Sequence, residues 1–124
     1  QILRDRRSFM IQSLKNPQFR VVYDRGKSRS DRYLVMYVYP NGLSINRLGI
    51  TVSKRNGNSV VRSRLKRIIK EAYRQQQHRF LSGYDIVFIA RNPAKDQKST
   101  QLERSILGIA EKFQILKTEN RVGD

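Results

Sequence analysis

The stretch Arg47-Leu-Gly-Ile-Thr-Val-Ser-Lys-Arg-Asn-Gly-Asn-Ser-Val-Val-Arg-Ser-Arg-Leu-Lys-Arg-Ile-Ile-Lys-Glu-Ala-Tyr-Arg74 changes its period half-way. Residues 47–54 alternate. Leu48, Ile50 and Val52 make an apolar face, and Gly49, Thr51 and Ser53 a small, open one, which is the pattern of a strand. Gly57 and Asn58 break it, and Ser59 offers a helix cap. Beyond that point apolar residues recur at helical spacing: Val61, Leu65, Ile68, Ile69 and Ala72 fall within about 100° of arc at roughly 100° per residue. This helix is expected to run to about Phe80.

A second strand follows at residues 84–90. It is nearly all apolar, as expected of a strand buried on both faces. If it neighbours the strand at 47–54, the helix between them is a crossover and the two run parallel. Upstream, residues 32–39 alternate again, with Leu34, Met36 and Val38 on one side and Tyr33, Val35, Tyr37 and Tyr39 on the other. Residues 27–31 read as a polar turn, and 43–45 as a weak strand. Before them Asn16 and Pro17 start a short helix carrying Phe19, Val22 and Tyr23 on one face, and Gly26 stops it. A last helix is expected from about Thr100 to Leu116, with Leu102, Ile106, Ile109, Ala110 and Phe113 inward. The order is helix, strands, helix, strand, helix. The fold class is α+β, an α/β sandwich with helices on a small mixed sheet. Residues 1–15 read as a basic N-terminal arm, 16–116 as one domain, and 117–124 as a frayed tail.

The chain has 124 residues, enough for one domain. Lys and Arg number 26 against 10 Asp and Glu, a formal net charge of +16 that points to a polyanionic partner. The charge concentrates on the central helix. Between Lys54 and Arg74 eight basic residues face one acid, Glu71. Arg62, Lys66, Lys70 and Arg74 form a stripe opposite the apolar arc, with Arg67 beside it. A solvated surface normally mixes signs, and like charges at i, i+4 oppose the helix. An external anion explains the stripe better than solvation does. A membrane-surface helix is the other use of such a stripe, but its apolar face lacks Trp and Phe and is needed for the core.

Other chemistries find little support. With no cysteine, there are no disulfides, zinc-thiolate sites or thiol nucleophiles. The single histidine, His78, excludes a His-rich metal site. The acids show no spacing for two-metal nuclease chemistry. Asp85 stands alone, and a surface position or a turn contact is its expected role. No phosphate loop of Walker type occurs. Neither a catalytic nor a metal-binding residue is assigned, and no small-molecule substrate is expected. No membrane span or secretory segment is visible, so the expected setting is cytoplasmic.

At the central helix the sequence resembles a known family. The strand ending Ser53-Lys54, the Gly57 turn, and Arg62-Ser63-Arg64 continuing with Lys66-Arg67 are similar to the signature of the bacterial ribonuclease P protein subunit. Phe19, Tyr23 and Gly26 resemble its N-terminal helix, and Asp85-Ile-Val-Phe-Ile-Ala-Arg91 with Asn-Pro its last strand. The family's middle Asn is Ser63 here. The resemblance implies an α/β sandwich with a left-handed βαβ crossover, against the right-handed rule for such units. It also implies ribonuclease P RNA and precursor tRNA as partners, and removal of the 5′ leader with Mg2+ held by the RNA. The protein is then the non-catalytic component.

Two RNA surfaces are expected. A line of cations suits the phosphates of a folded RNA. The catalytic-RNA surface is placed at Arg55, Asn58, Arg62, Arg64, Lys66, Arg67, Lys70 and Arg74. Aromatic platforms with nearby cations suit single strands. The precursor-tRNA leader surface is placed at Phe19, Tyr23, Tyr33, Tyr37, Ser53, Lys54 and Arg91. Phe19 and Tyr23 also fit a purely structural role in the core. The alternative function is a general RNA-binding or ribosome-associated protein without a cleavage role. A protein-only nuclease is the third class.

Overall fold

The computed structural model describes residues 11–118. Five strands form one sheet: β1 (Gln12–Ser13), β2 (Lys27–Ser30), β3 (Leu34–Pro40), β4 (Arg47–Thr51) and β5 (Tyr84–Ala90). Three helices accompany it: α1 (Asn16–Arg25), α2 (Ser59–Gln76) and α3 (Ser99–Phe113). The sheet order is β1-β4-β5-β3-β2. β4 and β5 run parallel with α2 between them in sequence, as the crossover reading required. β3 is antiparallel to both β5 and β2, so the sheet is mixed and the class is α+β.

Alternation decides the layers. Leu34, Met36 and Val38 are buried with Leu48, Ile86 and Phe88 beneath α2 and α3, which contribute Leu65, Ile69, Leu102 and Ile106. The other face of the sheet carries α1 over a smaller core of Leu14, Val22 and Val87. The result is three layers, with α1 alone on one side. Among the described residues no helix is long and apolar enough to cross a membrane.

Several local expectations are corrected. Lys15, not Asn16, is the N-cap of α1, and the Lys15 N–H donates to Gln18 Oε1 at 2.8 Å. Residues 27–30 form a strand rather than a turn. All four side chains are exposed, so hydrophobic alternation gave no sign of it. Residues 43–45 form bends, with Leu43 and Ile45 exposed, rather than a strand. Asn58, not Ser59, caps α2, its side-chain oxygen accepting from the Val61 N–H at 3.0 Å. α3 stops at Phe113 because Gln114 takes a left-handed conformation at φ 62°. The strand at Gln12–Ser13 lies inside the segment read as an arm, and residues 1–10 fall outside the described ones. Lys117 is held by its N–H to Arg79 O at 2.8 Å rather than frayed, and the tail from 119 lies outside the described residues.

Candidate nucleic-acid interface

Gly49 sits in β4 on the α1 face. A Cβ there would collide with the tip of the Phe19 ring and stand 3.1 Å from Leu14 Cδ1. The face expected to be open at Gly49 is therefore filled: the missing side chain admits an aromatic ring, and Gly49 is buried. Thr51 is half-buried and Ser53 exposed, so the face opens only beyond Gly49.

Phe19 begins a run of rings. Its centroid lies 6.2 Å from that of Tyr23, and Tyr23 meets Tyr37 edge-on at 5.1 Å and 87°. Tyr23 and Thr51 share a hydroxyl–hydroxyl hydrogen bond of 2.8 Å that ties α1 to β4. Helical spacing brings Phe19 and Tyr23 together, and strand alternation brings Tyr37 to meet them. Phe19 and Tyr37 are half-buried against the α1-side core, and Tyr23 remains 37% exposed. Next to the rings the register aligns Thr51, Ile89 and Val35 across β4, β5 and β3. These half-buried side chains make a shallow floor. Tyr33 does not join the rings. β3 begins only at Leu34, and Tyr33 packs against the larger core with the Arg32 guanidinium 5.9 Å from its ring centroid.

The floor ends at two turns. Ser53, Lys54 and Arg55 are exposed in the turn after β4. Arg91 is exposed after β5 and donates from Nη1 to Asp31 O at 2.8 Å. Buried Asn56 joins the turns, its Nδ2 donating to Asn92 Oδ1 at 3.2 Å. Sequence reading missed Asn56, because a polar residue in a polar turn carries no signal of burial.

The basic stripe is less uniform than the helical wheel suggested. Lys66, Arg67 and Lys70 are exposed. Arg62 is half-buried and donates from Nε to Gly57 O at 3.2 Å. Arg64 leans toward the start of α3, donating to Lys95 O at 3.3 Å. Arg74 departs from the expected free cation. Its Nη2 lies 2.6 Å from Glu71 Oε2, and it holds the Glu71 carboxyl below the usual carboxylate range, with help from Gln75. Ser63 is exposed between the two arginines, and Asn58 is exposed while it caps α2.

Phe19 of the one expected surface and Lys66, Arg67 and Lys70 of the other line a single groove. This groove of about 390 Å3 runs along the β4 edge beyond the short β1, with Phe19, Leu14 and Gly49 on one wall and Lys66, Arg67 and Lys70 on the other. An aromatic ring facing three cations is an arrangement for phosphate and base together.

Asp85 is not at the surface. It is buried, accepts from Arg47 Nε at 2.7 Å and Nη2 at 2.8 Å, and takes a third bond from Asn41 Nδ2 at 2.9 Å. Asp85 raises the Arg47 pKa by accepting its hydrogen bonds. The carboxylate is fully engaged in joining β4, β5 and the residue after β3. His78 is exposed in the turn that follows α2. Among the described residues no three His, Asp or Glu side chains group in a way that suits a metal ion.

A sequence model described as Ribonuclease P matches residues 12–114. The chain belongs to the ribonuclease P protein family. It is 43% identical over 102 residues to the ribonuclease P protein component of Alkaliphilus metalliredigens, covering 82% of this chain and 92% of that one. It is 48% identical over 99 residues to that of a Clostridium botulinum strain, covering 79% and 89%. The RNase P protein of Staphylococcus aureus superposes with a TM-score of 0.75 at 34% identity, covering 87% of this chain and 99% of that one. The Thermotoga maritima RNase P protein superposes with a TM-score of 0.74 at 26% identity, covering 82% and 96%. Ribonuclease P protein components are parts of a ribonucleoprotein enzyme, so the family fits the charge and the groove. Within this member, Ser13 and Leu14 line the groove although they belong to the segment read as an arm. The apolar Leu14 and Ile11 in a basic segment were available signs.

Proposed function

We propose that this chain is the protein subunit of a cytoplasmic ribonuclease P, binding both the catalytic RNA and the 5′ leader of precursor tRNA. The convergence of Phe19 and the α2 cations on one groove carries the reading. Lys66, Arg67 and Lys70 hold phosphates of the folded RNA, with Arg55, Arg62 and Arg64 extending the contact. Asn58 starts the helix that presents them. The leader lies along the floor of Thr51, Ile89 and Val35. Its bases stack on Tyr23 and Tyr37, and Lys54 and Arg91 neutralise its phosphates at the far end. Mg2+ belongs to the RNA in this account, and hydrolysis of the leader takes place there. The protein raises the local occupancy of substrate and neutralises backbone charge.

Affinity for precursor and mature tRNA, measured with the protein–RNA complex, tests the reading. The precursor is expected to bind more tightly. Tyr23→Ala is expected to lose about 1–3 kcal/mol of that preference, the worth of one stacked base. An unchanged preference in a folded variant removes the leader from this surface and favours a general RNA-binding role.

A further inference from the structure

The far edge of the sheet carries a second concentration of cations, away from the α2 groove. β2 pairs with β3 alone. Lys27 stands opposite Val38 and Arg29 opposite Met36, so both cations lie on the α3 side of the sheet. There they meet Lys112 from the last turn of α3, whose Nζ donates to Ser30 O at 3.1 Å. The three cations line a groove of about 500 Å3 that contains no carboxylate. None of them lies within ion-pairing distance of an acid among the described residues. Glu111 is next to Lys112 in sequence but lines no part of this groove.

An aromatic pocket adjoins it. β2 pairing stops at Val38, leaving Tyr39 and Pro40 without a strand on that side. Tyr84 and Phe113 line a cavity of about 250 Å3 at that uncovered end, with Arg25, Lys27 and Tyr39 at its rim, the Tyr39 ring itself packing against the α1-side core. Phe113 and Lys27 line both spaces, so the groove and the pocket adjoin. Cations next to half-buried rings form a binding surface for unpaired nucleotides, with phosphates on the charges and a base against the rings. A lipid surface fits poorly. It calls for apolar side chains that protrude, and the exposed large hydrophobic residues (Val21, Tyr23, Leu43, Ile45, Val60 and Leu81) line neither space.

We infer that the β2–α3 edge is a separate docking surface for single-stranded RNA. Lys27, Arg29 and Lys112 take phosphates there, and the pocket walled by Tyr84 and Phe113 takes a base. Five strands at about 4.8 Å spacing put this edge roughly 19 Å from the β1 edge, across the full width of the sheet. One continuous RNA, or two RNA segments, thereby engage both sides of the molecule. The inference stands on this edge alone and does not depend on the leader reading.

The test is a titration of the isotopically labelled full chain with single-stranded oligouridine of about 8 nucleotides, followed by amide chemical shifts. Lys27 to Ser30, Tyr84 and Phe113 are expected to shift saturably. K27E/R29E is expected to weaken that response roughly tenfold or more while leaving the shifts around Phe19 and Tyr23 intact. The neutral pair K27Q/R29Q replaces it if charge reversal disturbs β2. If the β2–α3 amides stay still at saturation, the inference is overturned, whatever Phe19 and Tyr23 do. If they respond to an oligo-aspartate peptide and not to oligouridine, the inference is also overturned and the edge belongs to an acidic protein partner. Stationary Phe19 and Tyr23 alone count against the leader surface, not against this edge.

Discussion

The ring of Phe19 occupies the space a Gly49 side chain would take, and so locks α1 onto β4 at the groove. Gly49→Ala puts a methyl group against that ring and 3.1 Å from Leu14 Cδ1. Overpacking of this kind costs about 1–3 kcal/mol. The urea midpoint is expected to fall accordingly, and RNA affinity to fall with it as Phe19 leaves the groove wall. An unchanged midpoint would mean that Phe19 yields freely and does not fix α1.

Arg47 and Asp85 form the partly buried pair at the start of β4 and β5, with side chains 22% and 5% exposed. Removing one partner strands the other. Asp85→Ala is expected to cost about 3 kcal/mol or more of stability. Replacing both residues with apolar ones is expected to recover much of the loss. Denaturation of the two variants checks this. Equal destabilisation by the single and double changes would show that Asn41 and packing, not the pair, carry the effect.

Tyr73 is buried against Phe80 and Phe88, and burial pushes its pKa from 10.0 up to about 12. The folded state thus keeps a proton that the unfolded chain gives up sooner. Its contribution to stability is complete below pH 10 and is lost as pH rises through about 12. An ultraviolet titration of the tyrosinates is expected to show one late component that Tyr73→Phe removes. Alkaline unfolding of Tyr73→Phe is expected to be correspondingly shallower. Persistence of the late component would assign it to another ring.

The α2 cations are predicted to differ in worth. Lys66 and Lys70 are exposed at the groove, whereas Arg74 is held by Glu71. Lys66→Ala and Lys70→Ala are each expected to reduce the salt dependence of RNA binding by about one counterion. Arg74→Ala is expected to change it less. Equal effects at all three positions would show that RNA pulls Arg74 away from Glu71.

Much of this arrangement was legible in residue order. The alternation of Leu34, Met36 and Val38 and the arc of Leu65, Ile69 and Ala72 are each buried as read, because a large apolar face has one way to leave water. The parallel β4–β5 pairing followed from the helix between them. β2 was illegible, since an edge strand with four exposed polar residues has no hydrophobic period and is held by its backbone ladder to β3 and by Lys112 Nζ donating to Ser30 O. The meeting of Phe19 with the α2 cations in one groove was illegible for a different reason. It depends on Phe19 reaching Gly49 from another element, a tertiary contact that no local spacing encodes. Tyr33 and Tyr37 share one face by alternation in the sequence, yet the start of β3 at Leu34 separates them. The Glu71–Arg74 pair was readable as an i, i+3 contact, and it removes one cation from a stripe that the wheel drew as continuous.

The central claim is that this protein works with an RNA that carries the chemistry. Cleavage of precursor tRNA at low Mg2+, by the protein alone, by a bacterial ribonuclease P RNA alone, and by the two together, tests it most directly. The account predicts cleavage at the mature 5′ end only when both are present, with the effect reduced by Lys66→Ala/Lys70→Ala. Cleavage by the protein alone, or tight RNA binding with no stimulation of cleavage, would contradict it.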